Sequence, residues 1–443
     1  YNVALGFNLD VASATGNTQL AIGCAASNWI TGDSSFNVCL AGSTIKAMAS
    51  GGIFCATSFV GSGANLTGIN AGFDPDSQEN LYAGTNAGAA SDADTCFNVA
   101  IGYEAAKALN AGDKNVFIGY GAGACTTTGS DNVFLGRYAG QHTPDEDSSV
   151  FIGKNSGRCN TGCANIAIGL CALRGTATPN DNSGYRNIAL GCSAGKELTD
   201  GDDNILIGDQ AGRNIGVAFY NLIGGYHAGC NISTGSANII LGKYAGRSGV
   251  LTGGCNVLMG TGAGDAITSG SNLIAIGCGA LSAEDTNTNG SIAIGQDALA
   301  VQNTTGLGNV AIGKNAGQSV TTGGESVYIG YSAGGGTTGS KNTIIGFLAL
   351  TASGSGEENV VIGRDAGRNT TGSQNTIVGD AAGDASGDGS YNVFLGKNSG
   401  SAVTNGDGNT FLGYNSGDAV TTGCYNVALG HNVDVASATG NTQ

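Results

Sequence analysis

A five-residue block recurs along nearly the whole chain: Asn, a β-branched residue, an apolar residue, Ile or Leu, then Gly. It stands at 2–6, 115–119, 238–242 and 426–430, among many places. From Gly102 to Gly430 the closing glycines step mostly by 16 to 18 residues, with one step of 22 ending at Gly191. Gly6, Gly23, Gly42, Gly61 and Gly84 continue the series backwards less regularly. A unit this short has no room for a helix and cannot bury an apolar face alone, so it must stack on its neighbours. The spacing predicts an all-β chain: a parallel β-solenoid of about 24 coils, ~17 residues each, rising ~4.8 Å per coil. The whole of 1–443 reads as one continuous solenoid, with irregular, longer-looped coils over 24–98 and regular repeats over 99–443.

Composition agrees with that reading. Glycine supplies 80 of 443 residues and proline only 3. A solenoid needs glycine at sharp corners, where φ is positive and coils approach closely. There is no three-residue glycine period, which excludes collagen. Acidic residues outnumber basic ones 33 to 17, for a net charge of −16. That balance argues against nucleic acid as a partner, because phosphate binding needs clustered Lys and Arg. No apolar run approaches the ~18 residues of a membrane helix, so no membrane insertion is expected of this segment.

The repeated Asn, as at Asn115, Asn132, Asn165, Asn238 and Asn392, is expected to stack coil on coil, hydrogen-bonding along the rod and satisfying turn backbone groups. The closing glycines, such as Gly119, Gly136, Gly242 and Gly396, are expected at corners. Side chains alternate faces along a strand. Placing the second and fourth block residues inward puts the third outward, yet the third is also apolar: Phe117, Phe134, Phe151, Ile240, Phe394 and Phe411. An outward apolar stripe of that length exceeds what a soluble monomer exposes. It is expected to pack against identical chains around a fibre axis. The alternative is a wider coil whose interior takes both faces.

The blocks Asn289-Gly290-Ser291-Ile292-Ala293-Ile294-Gly295 and Asn309-Val310-Ala311-Ile312-Gly313 resemble head repeats of trimeric autotransporter adhesins. The longer unit containing Thr-Thr-Gly, as at Thr321-Thr322-Gly323, is similar to repeats of phage tail-fibre-like proteins. The resemblance covers most of the chain, most clearly 98–443. It implies a homotrimer of left-handed parallel β-rolls, outside the cell on a cell or virion surface, serving attachment or reach, with a surface glycan or receptor as partner. The period near 17, rather than about 14, departs from the adhesin repeat.

Other features are weaker. The acidic pairs Asp145 with Asp147 and Asp202 with Asp203 are candidate Ca²⁺ ligands, since that ion takes several carboxylate oxygens; no other cofactor is expected. Loops are expected to bulge at 143–147 and at 174–186. The 13 cysteines include no C-x-x-C pair; Cys159 and Cys163 flank one corner and are a candidate disulfide. The three histidines sit in no nucleophile motif, so no enzyme is expected. A polysaccharide-binding or depolymerising spike and an ice-binding solenoid are the alternatives to a structural fibre. Finally, 1–19 and 425–443 agree at 17 of 19 positions, with an offset of 424 residues. That match leads to the expectation of a longer tandem array with this super-period, or of subunits stacked end to end.

Overall fold

A computed structural model describes residues 75–176, 182–283, 289–302, 308–352 and 354–441, together with the strands β1 (Val3–Phe7), β2 (Leu20–Cys24), β3 (Ser27–Gly32) and β4 (Val38–Leu40). The chain divides into two compact units, Tyr1–Ile69 and Asn70–Gln443. In the first, β1 pairs with β2 in parallel, but β2 with β3 and β3 with β4 are antiparallel. This differs from the continuous solenoid expected over 1–443. Only two residues separate β2 from β3, a gap that an antiparallel pair can bridge and a parallel pair cannot. Residues 41–74, and with them most of the irregular stretch, lie outside the described residues.

The second unit is a β-solenoid. Its 21 strands, β5 (Leu81–Ala83) to β25 (Val427–Leu429), form one parallel sheet in which each strand pairs with its sequence neighbours. Register is fixed throughout: Phe117 opposes Phe134, and Phe134 opposes Phe151. Numbering each coil from its Asn, the strand occupies positions 2 to 4 and Gly position 5. Coil-to-coil hydrogen bonds continue round the corners. In one coil the Val133, Gly140 and His142 N–H groups donate to the following coil, while Gly136 and Tyr138 donate to the preceding one. Two columns per coil are left-handed without being glycine, for example Tyr138 (φ 59) at position 7 and Ser148 (φ 58) at position 17.

Position 1 forms the expected ladder. The Asn187 N–H and Nδ2 both donate to Asn165 Oδ1, at 2.8 and 3.2 Å, and Nδ2 also donates to the Gly201 carbonyl at 2.8 Å. Its own Oδ1 then accepts from the Asn204 N–H and Nδ2, both at 3.0 Å. Asn115, Asn132, Asn238 and Asn392 are likewise buried and bond to the preceding Asn. Asn187→Ala should cost about 3 kcal/mol, because buried backbone groups on two coils lose partners. Asn187→Ser should cost less, since Ser149 already accepts the Asn165 N–H at 3.2 Å. Chemical denaturation of the two variants checks the order.

Position 3 is the core. Phe117, Phe134, Phe151, Ile240, Phe394 and Phe411 are all 0 % exposed in the single chain. They cannot meet another chain, and the oligomer-interface reading of these residues is corrected here. The reason is parity: position 1 faces inward, so position 3 does too, and positions 2 and 4 face out. Inside, Phe117, Phe134 and Phe151 stack at 4.8 and 4.9 Å between ring centres. On the coils that carry these rings, position 8 is Ala122, Ala139 or Ser156 and position 12 is Thr126, Thr143 or Asn160, all buried; on other coils position 12 is apolar, as at Leu198 and Ile215.

Position 9 explains the second glycine. At Gly123 (φ +56) a Cβ would lie 2.9 Å from the Phe117 ring. Where position 9 is Leu173, Leu281 or Leu299, position 3 is Ala167, Ala275 or Ala293, and both members of each pair are buried. The strand and the corner thus share one space, filled by Phe117 with Gly123 on one coil and by Ala167 with Leu173 on another. The match is not strict, since Ile344 stands with Leu350, and where Ala189 stands with Gly195 the neighbouring coils' Leu173 and Leu206 reach that corner. Position 5 glycines close the stack: at Gly136 (φ +135) a Cβ would lie 2.7 Å from the Gly153 carbonyl oxygen. Gly119, Gly242 and Gly396 hold the same place on their coils.

Candidate functional site: the outward sheet face

Because the middle strand residue points in, positions 2 and 4 form two outward columns. Position 2 is Val, Ile, Thr or Leu on every strand from Leu81 to Val427, residues whose shape suits a pleated surface. Position 4 is Ile or Leu on most strands, with Met259, Val378, Ala83 and Gly224 as variants. Neither column contains a charged residue on any of the 21 strands. These side chains are half-buried to exposed; Ile207 is 45 % and Leu395 43 % exposed. At ~4.8 Å per strand and ~3.3 Å per residue, the columns span roughly 100 Å by 7 Å. That projected stripe, on the order of 650 Å², reaches or exceeds the largest apolar patch of an ordinary monomer, about 300–600 Å². Charges begin beyond the Gly corner, at position 6, with Arg137, Lys154, Asp209 and Lys243, and on the other side of the strand at the last residue of the preceding coil, with Lys114, Asp131, Asp203 and Lys341.

The candidate metal ligands are engaged otherwise. Asp147 Oδ1 accepts the Ser130 N–H at 2.8 Å, and Asp202 Oδ1 accepts the Tyr185 N–H at 2.7 Å. Asp145 accepts from the Thr127 and Thr128 hydroxyls at 3.0 and 2.8 Å. Asp203 takes two bonds from Arg186, at 2.7 and 2.8 Å, and the guanidinium holds its carboxyl below the usual carboxylate range. Each carboxylate is turned to the preceding coil, and among the described residues no cluster of three metal-ligating side chains forms. The Asp147 and Asp202 bonds belong to a second ladder that the sequence reading missed: the Asp113 N–H donates to Ser130 Oγ at 3.0 Å, and Asp113 Oδ1 accepts the Cys96 N–H at 2.7 Å. Its signal was Asp or Ser recurring two residues before the block Asn.

Cys159 and Cys163 are both free thiols, which corrects the disulfide. Cys159 is buried, whereas Cys163 Sγ accepts the Asp147 N–H from the preceding coil at 3.3 Å. The 143–147 stretch does not bulge. Thr143 and Glu146 are buried, and the Pro144 carbonyl accepts the Thr127 N–H at 2.8 Å. In the 174–186 stretch, residues 177–181 lie outside the described residues.

Glu146 stands where most coils carry Gly, and neither of its carboxylate oxygens finds a hydrogen-bond partner. The nearby Thr143 hydroxyl is committed to the Gly140 carbonyl at 2.7 Å. Burial pushes this carboxyl up to about 9, so it is neutral at pH 7. A folded value above the unfolded one gives stability that is complete below the ordinary glutamate range. It is lost as pH rises toward 9, by about 1.4 kcal/mol per pH unit. Glu146→Gly should flatten that loss and raise stability at pH 7 and above. Amide exchange of the 132–165 coils, followed against pH, checks this.

A scan against protein-family models finds no match for this chain, and a search of curated proteins finds none either.

Proposed function

We propose that this chain is a segment of a structural fibre, in which identical chains pack their outward sheet faces together and the resulting rod extends from a cell or virion surface for attachment. The two charge-free columns at positions 2 and 4 carry this reading. They place an apolar stripe on the outside of a chain that is otherwise strongly acidic. Burying it between copies removes the stripe from water at about 25 cal/mol per Å². Any closed set of chains satisfies the geometry; the number three comes from the resemblance to trimeric adhesin heads. An ice-binding role finds less support, because that face would need Thr at positions 2 and 4 together, and Thr343, Thr376 and Thr410 are each followed by Ile, Val or Leu at position 4. Sedimentation equilibrium at micromolar concentration tests the proposal. The expected mass is three times 43.4 kDa; a soluble species of single-chain mass would overturn it.

A further inference from the structure

Away from the sheet face, one corner of the solenoid combines aromatic rings with cations that have no carboxylate partner. Tyr103 and Tyr120, both exposed, stack at 5.0 Å between ring centres, and Tyr138 meets Tyr120 edge-on at 5.2 Å. Two guanidiniums converge on Tyr138: Arg137 at 4.9 Å and Arg158, from the next coil, at 5.4 Å from the ring centre. Arg137 also lies 5.7 Å from Tyr120. Arg158 is held by its Nε, which donates to Gln141 Oε1 at 2.9 Å. Neither arginine, nor the neighbouring Lys154, forms an ion pair among the described residues. Across positions 6 to 12 of the five coils from 98 to 176, Lys107, Arg137, Lys154, Arg158 and Arg174 face a single carboxylate, Glu104, itself paired with Lys107 at 2.9 Å.

The geometry points to a binding site for the carboxylate of an acidic saccharide, clamped between Arg137 and Arg158 and flanked by the tyrosine edges. Two like charges brought to one ring repel each other, and a bound anion relieves that repulsion. A guanidinium laid on an aromatic face is pre-oriented, so less rotamer freedom is lost when it forks onto a carboxylate. The phenol hydroxyls of Tyr103 and Tyr120 add hydrogen-bonding groups beside apolar ring edges, the mixture that a sugar presents in return. A nucleic acid fits less well, because its affinity sums many phosphate contacts along a track. Here the cations end within a few coils, in a chain of net charge −16.

The test uses the whole protein and calorimetric titration with hexagalacturonate, maltohexaose, hexaglutamate and a single-stranded oligonucleotide. Hexagalacturonate should bind best and weaken as salt rises. Arg137→Ala and Arg158→Ala should each lose about tenfold or more in affinity. Arg137→Lys should lose nearly as much, because the fork is gone, and Tyr138→Ala should weaken binding with the charges intact. The solution mass of each variant should stay that of the parent, which separates this site from the sheet face. Four outcomes would overturn the assignment: equal binding of maltohexaose, equal or tighter binding of hexaglutamate or the oligonucleotide, no binding of hexagalacturonate, or variants that change mass rather than affinity. The salt dependence of the unaltered protein decides the matter if a variant fails to fold.

Discussion

Ile239→Asp should take the assembly apart and leave the coils folded. Ile239 is an outward position 2 residue, 38 % exposed, between Leu222 and Val257 on the neighbouring strands. On a free chain an added surface charge changes stability by only about 0.5 kcal/mol. In a closed assembly the same carboxylate is buried without a partner, once per chain, at several kcal/mol each. The expected result is an unchanged far-ultraviolet spectrum together with a fall in mass to 43.4 kDa. Phe134→Asp should behave oppositely, because it buries a charge inside the coil and destroys local folding whatever the oligomeric state. A pair of variants with these outcomes exchanged would return the third block residue to the outside.

The second large effect concerns the shared core space. Phe134→Ala should cost about 3–5 kcal/mol, the price of a cavity where a buried ring stood. Gly140→Leu alone should also destabilise, by about 1–3 kcal/mol or more, since the new side chain meets the Phe134 ring. The double variant should recover much of both losses, because Ala at position 3 with Leu at position 9 is the arrangement at Ala167 and Leu173. The left-handed backbone is no obstacle: Leu173, Leu281 and Leu299 hold φ of 42, 50 and 48 at this position. A coupling of about 3 kcal/mol between the two sites is at the upper end for touching residues. Amide exchange resolves it coil by coil, which suits a repeat protein whose unfolding is not all-or-none. Strictly additive losses would refute the shared space.

The architecture was legible because the repeat leaves few choices. A 17-residue period with Gly at fixed places admits one strand and two corners, and an Asn such as Asn187 or Asn204 at the head of most blocks announces a ladder. The facing of the strand was legible too, but it was read the wrong way round. An inward Asn at position 1 forces position 3 inward. The pairing of Phe117 with Gly123, and of Ala167 with Leu173, says the same from volume. What misled was the even hydrophobicity of the three strand residues, which hides the alternation that normally separates core from surface. The Tyr138 corner was not legible at all. Arg137 and Arg158 are 21 residues apart and meet one ring only because the coil between them brings successive corners one above the other. The Asp ladder was hidden for a related reason: Asp147 and Asp202 find their partners one coil away.

Mass per unit length, measured on isolated rods by scanning transmission electron microscopy, tests most directly whether chains join through the outward face. At 43.4 kDa for 443 residues, a 17-residue coil rising ~4.8 Å gives about 350 Da per Å for a single solenoid. Three chains packed side by side through positions 2 and 4 should give about 1,040 Da per Å, with Ile239→Asp returning the single value. Rods of the unaltered protein near 350 Da per Å would mean that the apolar columns face water, and would contradict the fibre.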